Sequence, residues 1–172
     1  NGAATNLKLY NEDGVRTLDK SKANIKFITG EIIVLDENSF IVVRPEKKRE
    51  EISLFSGAVR ASKSRVLTES ATIDPKTDKK GNIPDYKTRV KTDKTTIVEV
   101  YNGEVDVSAL GKTVTLTKGF GTQVKFLSTP SIPKPLPPLP EFNLTAKELN
   151  IEKSGLNMKT TGYNFYRDST DF

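Results

Sequence analysis

Apolar and polar residues alternate along most of the chain in short runs. Val105 and Val107, and then Val114 and Leu116, each stand between polar residues. A period of two is typical of a β-strand with one face in the core and the other in water. The other runs of this kind, rich in β-branched residues, are "NIKFI", "EIIVLD", "FIVVR", "EISLF", "AVRAS", "RVLTE", "TRVKT", "TIVEVY" and "TQVKFL". The pattern predicts an all-β fold.

Glycines separate several of these runs and mark places where the chain is expected to turn. Gly30, Gly57, Gly103 and Gly119 are each followed by a further strand-like run, and glycine tolerates the positive φ angles of tight turns. We predict that these four glycines are structural turn residues. Their offsets of 27 residues and then 46 residues exclude a strict repeat. The pattern therefore favours a twisted β-sandwich or a β-solenoid-like coil of short strands.

Two phrases in the sequence are similar to each other. They are "LFSGAVRAS", which begins at Leu54, and "VYNGEVDVS", which begins at Val100. One interpretation is a repeated unit of a short strand, a glycine corner and another short strand. For the second phrase alone, the Asn102-Gly103 pair favours a hairpin with a type I′ turn.

A polar insertion, "DPKTDKKGNIPDYK" from Asp74 to Lys87, interrupts the strands and is predicted to be a surface loop. Its carboxylates at Asp74, Asp78 and Asp85 lack the spacing of an EF-hand calcium loop. We therefore expect no metal site here.

The composition changes abruptly after Ser128. Six prolines lie within residues 129–140, which predicts an extended linker, although such a segment can also be a ligand for SH3-like or WW-like domains. We predict an all-β domain over residues 1–128, the proline-rich linker over 129–140, and a short C-terminal tail or the start of a further module over 141–172.

Composition excludes several classes of chemistry and of partner. The 172 residues include no His and no Cys, so imidazole bases, thiol nucleophiles and thiolate metal sites are absent. The net charge of +5 comes from lysines interleaved with acids, which favours a solvated surface over a nucleic-acid interface. No run is long enough for a membrane helix, so we expect no membrane span within this fragment. The first residue is Asn rather than Met, from which we expect a fragment whose signal or anchor, if any, has been removed.

The remaining catalytic candidates are also weak. "GKTVT" at Gly111 lacks the upstream glycine of a phosphate-binding loop, and every serine lacks a histidine partner. Carboxylates such as Glu31, Asp36 and Glu99 are explained equally well by solvent-facing strand positions and turns. We therefore predict that the protein is not an enzyme and needs no cofactor.

Three stretches, taken together, resemble the FecR domain of bacterial envelope proteins. They are Gly14–Val43, with an Asn-Ser bend after its second strand; Glu51–Pro75, with a Leu-x-x-Gly-x-Val phrase; and Thr95–Val124, with two glycine-marked strand pairs. The resemblance covers residues 14–124. It departs from the family between the second and third stretches, where the usual Gly-Thr-x-Phe phrase is replaced by the polar insertion.

The resemblance implies a non-enzymatic, extracytoplasmic module of the cell envelope, in the periplasm or on the outer surface. Family members transmit signals to sigma factors or act as interaction modules, and here an interaction, signalling or scaffold role is favoured. The expected partner is an envelope protein or a cell-wall component. The alternative is a carbohydrate- or peptidoglycan-binding β domain that uses paired acids with an aromatic such as Tyr101 or Tyr163.

The tail carries more apolar side chains than a free segment needs. We predict that it docks, either on its own β domain or between two copies as a homo-oligomer contact. The candidate docking residues are Phe142, Tyr163, Phe165 and Tyr166.

Overall fold

A computed structural model describes residues 7–45, 50–77 and 79–138. These residues form thirteen strands, with no helix among them. The strands are β1 (Gly14–Arg16), β2 (Ala23–Lys26), β3 (Ile32–Leu35), β4 (Phe40–Pro45), β5 (Glu50–Ala61), β6 (Arg65–Leu67), β7 (Thr72–Lys76), β8 (Asp85–Val90), β9 (Thr96–Asn102), β10 (Glu104–Ala109), β11 (Lys112–Thr117), β12 (Phe120–Val124) and β13 (Lys134–Pro135).

The strands form two sheets that share the long strand β5. The first sheet has the order β1-β4-β5-β6-β7-β10-β11, and the second has the order β2-β3-β5-β8-β9-β12-β13. Some consecutive strands pair as antiparallel hairpins, such as β8 with β9 and β10 with β11. The pair of β5 with β6 is parallel. The predicted all-β class is thereby confirmed, as a curled, sandwich-like arrangement of short strands.

Inward-facing side chains of both sheets make the hydrophobic core. Val105, Val107 and Leu116 are fully buried, as their alternation predicts, and Val114 packs against the core while half-buried. Tyr86 is the largest fully buried side chain, and its hydroxyl donates a hydrogen bond to the carbonyl of Ser64. Burial of such side chains is the main stabilising contribution to a fold of this kind.

Gly57 lies where β5 passes from the first sheet to the second. Its φ is +77°, and a Cβ atom there would come within 3 Å of Ser39. The buried Ser39 hydroxyl accepts from the Ala58 N–H at 2.9 Å and donates to the Ala58 carbonyl at 3.0 Å. The runs "EISLF" and "AVRAS" belong to one bent strand, β5. At the bend, the Ser39 side chain supplies the hydrogen bonds that the N–H and C=O groups of Ala58 need.

Gly103 marks a second crossing. β9 pairs with β8 and β12 in the second sheet, whereas β10 pairs with β7 and β11 in the first. The hairpin favoured for Asn102-Gly103 is therefore wrong, because each strand finds its partners elsewhere. Gly103 has φ +69°, and a Cβ atom there would lie 2.8 Å from Cα of Pro84. The two similar phrases thus mark equivalent crossings between the sheets.

The other two predicted turn glycines occupy different connections. Gly30, with φ +87°, lies in the hairpin between β2 and β3 and donates from its N–H to the Phe27 carbonyl at 3.0 Å. Gly119, with φ +83°, joins β11 of the first sheet to β12 of the second. All four glycines have positive φ angles, and their assignment as structural turn residues stays a prediction.

The polar insertion is shorter than its composition indicates. Asp74 and Pro75 belong to β7, where they pair with Asp106 and Val105 of β10. Proline fits there because the opposite neighbour, β6, pairs no further than Ile73, so the proline nitrogen needs no ladder partner. The connection to β8 is thus limited to residues 77–84.

The proline-rich segment begins with ordered contacts to the second sheet. Lys134 and Pro135 form β13, which pairs with Gly121 and Phe120 of β12 as an edge strand. One compact unit extends to Pro137. The division at residue 128 and the independent tail over 141–172 stay predictions.

Candidate protein-interaction surface

One row of residues crosses the outer face of the second sheet from edge to edge. From β2 to β13 the row consists of Asn24, Val34, Arg60, Lys87, Glu99, Gly121 and Lys134. Their neighbours along the central strands, Val59, Thr88 and Val98, are buried in the core. The side chains of the row at these strands therefore point away from the core. The centre of the row carries the most connected polar side chains of this face.

Arg60 is held in a fixed position at this centre. Its guanidinium donates two hydrogen bonds to Asp85, at 2.8 Å from Nε and 2.6 Å from Nη2. It also lies 5.0 Å from the centroid of the Tyr101 ring. The Tyr101 hydroxyl donates to Glu99 at 2.8 Å. We call these four residues the Arg60 cluster. A bidentate pair and a cation–π contact together fix the orientation of the guanidinium.

The environment of Tyr101 favours its neutral form. Burial raises the pKa of the Tyr101 hydroxyl, and the hydrogen bond to Glu99 raises it further. The hydroxyl therefore stays a hydrogen-bond donor across the physiological range. It therefore keeps its hydrogen bond to the Glu99 carboxylate, while the ring of the same residue contacts the Arg60 guanidinium.

A second ionic group extends the same face toward β3. Lys87 on β8 lies 2.6 Å from Asp36, which follows β3, and Lys22 lies 3.8 Å from the same carboxylate. The face therefore presents fixed charges of both signs. Such a pattern favours electrostatic complementarity with a protein over attraction to a uniformly charged ligand.

The Arg60 cluster has the residue types and the partial exposure that are typical of protein-recognition surfaces. The side chains of Arg60 and Asp85 are about one-third exposed, at 36% and 33%. Arginine and tyrosine are the residue types that contribute most at protein interfaces, and immobilised side chains lose little entropy on binding. Arg60 covers one face of the Tyr101 ring and Glu99 accepts from its hydroxyl, so stacking of a sugar would be limited to the opposite face of the ring.

Glu31, one of the acids considered in the sequence, has a structural role. Its Oε1 accepts from the backbone N–H groups of Ser62, Lys63 and Ser64 at 2.7–3.0 Å. Its Oε2 accepts from the Ser64 hydroxyl at 2.8 Å. The buried carboxylate thus fixes the turn between β5 and β6. The sequence carries no sign of this pairing across more than thirty residues.

The first sheet has an aromatic group near its β1 edge. Phe40 stacks on Phe55 with ring centroids 5.4 Å apart, and the Arg16 guanidinium lies 5.4 Å from the Phe40 centroid. Phe55 is 44% exposed. A sequence pattern of period two places Phe55 outward but does not indicate which residues cover it.

The remaining predicted sites divide between described and undescribed residues. Phe142, Tyr163, Phe165 and Tyr166 lie outside the described residues, as does Asp78. Asp74 pairs with Arg65 at 2.7 Å, and Asp85 pairs with Arg60. Within residues 7–45, 50–77 and 79–138, no group of three His, Cys, Asp or Glu side chains is placed to hold a metal ion. The same residues include no helix that could span a membrane.

Sequence comparison assigns the chain to a family. The sequence profile described as FecR protein matches residues 13–106. Because this match covers more than half of the 172 residues, the chain belongs to the FecR family, and the resemblance noted in the sequence is confirmed. The matched region begins one residue before β1 and contains the whole Arg60 cluster. No curated protein matches the chain significantly.

Solved structures share the fold. Two crystal structures of a Parabacteroides distasonis protein, described as a "putative anti-sigma factor", are similar to the chain with TM-scores of 0.61 and 0.60 at 12% identity. Each comparison covers 72% of this chain and 60% of the other. The chain therefore spans about three-fifths of the length of these structures.

Proposed function

We propose that this chain is a non-enzymatic interaction module in envelope signalling, which acts outside the cytoplasm and binds another envelope protein through the Arg60 cluster. The observation that carries the proposal is the cluster itself. It combines a bidentate Arg60–Asp85 pair with an Arg60–Tyr101 contact, on the outer face of the second sheet.

Family membership and chemistry favour this role over catalysis. FecR proteins are regulatory, and the similar structures are described as belonging to an anti-sigma factor. The chain has no His and no Cys, and the acids considered as catalytic groups, Glu31, Asp36 and Glu99, are engaged by backbone N–H groups, lysine and tyrosine respectively. A carboxylate that is already paired is a poor general base.

Site-specific photo-crosslinking in the native bacterium tests the proposal. Benzoylphenylalanine at Asn24 or Gln123 lies on the second sheet, on either side of the Arg60 cluster. The matched control position is Thr72, at the centre of the outer face of the first sheet. We expect one envelope-protein adduct from positions 24 and 123, no such adduct from position 72, and loss of the adduct when Arg60→Ala is added.

Other outcomes would contradict this assignment. Adducts that form equally from all three positions would indicate nonspecific contact. Adducts with cytoplasmic proteins alone would contradict the extracytoplasmic role. If labelled muropeptide binds the purified chain, and the variant Tyr101→Ala abolishes this binding, the cell-wall alternative would be favoured instead.

A further inference from the structure

The four sheet edges differ in how well they are protected from further pairing. β1 has three residues and β2 has four, which leaves little backbone for another strand. β13 has two residues, one of which is Pro135. β11 has six residues, contains no proline and pairs with β10 without a register shift. Among the usual protections of an edge, β11 lacks a short length, a proline and a bulge, and has only charged side chains, Lys112 and the adjacent Lys118.

β11 also has the side-chain pattern of a strand that can accept a neighbour. Thr113, Thr115 and Thr117 alternate with Val114 and Leu116. In an antiparallel pair, alternate residues direct their N–H and C=O groups away from the partner. Among the described residues, β11 pairs only with β10. One alternate set of backbone groups on β11 is therefore available to an added strand.

The charges at the ends of β11 indicate which kind of added strand it would bind. Lys112 and Lys118 flank the threonine-rich stretch, are exposed, and form no ion pair within the part of the chain that the structure describes. Antiparallel pairing of two copies of β11 centred on Thr115 would place Lys112 opposite Lys118, and like charges directly opposite are unfavourable. A second copy is thus a poor occupant in this register, which pairs the whole of β11, and a strand with acidic ends is complementary.

We infer that β11 is a second binding surface, which adds an extended segment of a protein partner as an antiparallel strand. That segment carries a carboxylate at each end, opposite Lys118 and Lys112, and apolar residues opposite Leu116 and Val114. The inference shares with the proposed function only the assumption of a protein partner. It concerns a different sheet and lies outside the residues that the family profile matches.

A synthetic peptide tests this inference on the full chain. The heptapeptide Glu-Thr-Val-Thr-Ile-Thr-Glu places Val and Ile opposite Leu116 and Val114. We expect saturable binding in fluorescence polarisation, together with slower amide hydrogen exchange over residues 112–118. Two further peptides, each N-methylated on one alternate set of residues, are matched controls, and only one of them should lose binding.

A charge swap separates strand addition from nonspecific attraction. The double variant Lys112→Glu, Lys118→Glu should bind the acidic peptide about tenfold more weakly than the native chain does. It should bind a second peptide in which both terminal glutamates are replaced by lysine. Arg60→Ala should leave peptide binding unchanged, so this surface and the Arg60 cluster can fail independently. No binding at millimolar peptide, protection elsewhere in the chain, equal loss with both methylated peptides, or dimerisation of the free chain through residues 112–118 would overturn the inference.

Discussion

Two glycines determine where the chain crosses between the sheets. Gly57 and Gly103 both have positive φ, and each faces another segment too closely for a side chain. At Gly57 the space is taken by Ser39, and at Gly103 it is taken by Pro84. These positions need glycine for conformation and for space, whereas Gly30 needs it for conformation alone.

Replacement of Gly57 tests this distinction. Gly57→Ala should lower the free energy of unfolding by about 3 kcal/mol, because strain at positive φ adds to the displacement of Ser39. Gly30→Ala is the matched control, since nothing lies within 4 Å of its Cβ position, and it should cost about 1 kcal/mol. Urea denaturation of both variants measures the difference. Equal losses would mean that the Ser39 contact is unimportant.

The Tyr101 hydroxyl gives the Arg60 cluster a predictable response to alkaline pH. Burial and the Glu99 hydrogen bond raise the pKa of Tyr101 above its usual value of 10.0. Above pH 10.0 the Tyr101 hydroxyl loses its proton in the unfolded chain but retains it in the folded chain. The contribution of Tyr101 to stability is therefore complete below pH 10.0 and decreases as pH rises beyond it.

The variant Tyr101→Phe isolates this contribution. We expect the difference in free energy of unfolding between the native chain and Tyr101→Phe to be constant near neutral pH and to shift against the native chain above pH 10.0. Chemical denaturation at a series of pH values measures it. A difference that stays constant into the alkaline range would contradict the environment assigned to Tyr101.

Among the strands, β13 depends on the fewest interactions. Only Lys134 and Pro135 pair with β12, and the preceding segment is held at Ser131, whose N–H donates to the Gln123 carbonyl at 3.0 Å and whose side chain and carbonyl contact Thr122. The Thr122 hydroxyl lies 2.7 Å from the Ser131 carbonyl and 3.0 Å from the Ser131 hydroxyl. The start of the proline-rich segment therefore remains on the second sheet through a few polar contacts.

Loss of the Thr122 hydroxyl should release this segment locally. Thr122→Val should speed amide exchange at Ser131 and Leu136 by about tenfold, because a hydrogen bond of this kind contributes about 1 kcal/mol. Exchange at core residues such as Val98 should change much less. Thr117→Val, which changes an exposed threonine on β11, is the control. Equal acceleration in the core would show that the two sheets and β13 open together.

Strand positions could be predicted from the sequence because alternation is local, but pairing could not. The alternating Val105 and Val107 identify β10 at once. By contrast, Asn102-Gly103 favours a hairpin locally, and the actual partners of β9 lie on distant strands. Register depends on the fit of whole faces and of turn geometry rather than on any one pair of residues.

The candidate site could be predicted only in part, because the sequence shows local patterns but not contacts between distant strands. Tyr101 and Glu99 were singled out as an aromatic and an acid, but their neighbour Arg60 was not. Arg60 meets Asp85 across 25 residues of sequence, through the pairing of β5 with β8. Such contacts between distant residues follow from topology, which an alternating pattern does not encode.

At the scale of the whole molecule, β5 connects the two sheets, whose outer faces carry different side chains. Its first half contributes Phe55 to the first sheet, and its second half contributes Arg60 to the second sheet. The Ser39 contact at Gly57 fixes the bend between these halves. The fold therefore holds the Arg60 cluster on a rigid strand, which suits a surface that binds by complementarity.

The most direct test of the account is the affinity of Arg60→Ala for the partner captured at positions 24 and 123. Arg89→Ala is the matched control. Arg89 is an exposed arginine on β8, on the same face of the second sheet, so its replacement by alanine removes the same charge. We predict about 30-fold weaker binding for Arg60→Ala, corresponding to about 2 kcal/mol, and less than about threefold for Arg89→Ala. Equal losses for the two variants, or no loss for Arg60→Ala in a chain that melts normally, would contradict the Arg60 cluster as the binding surface.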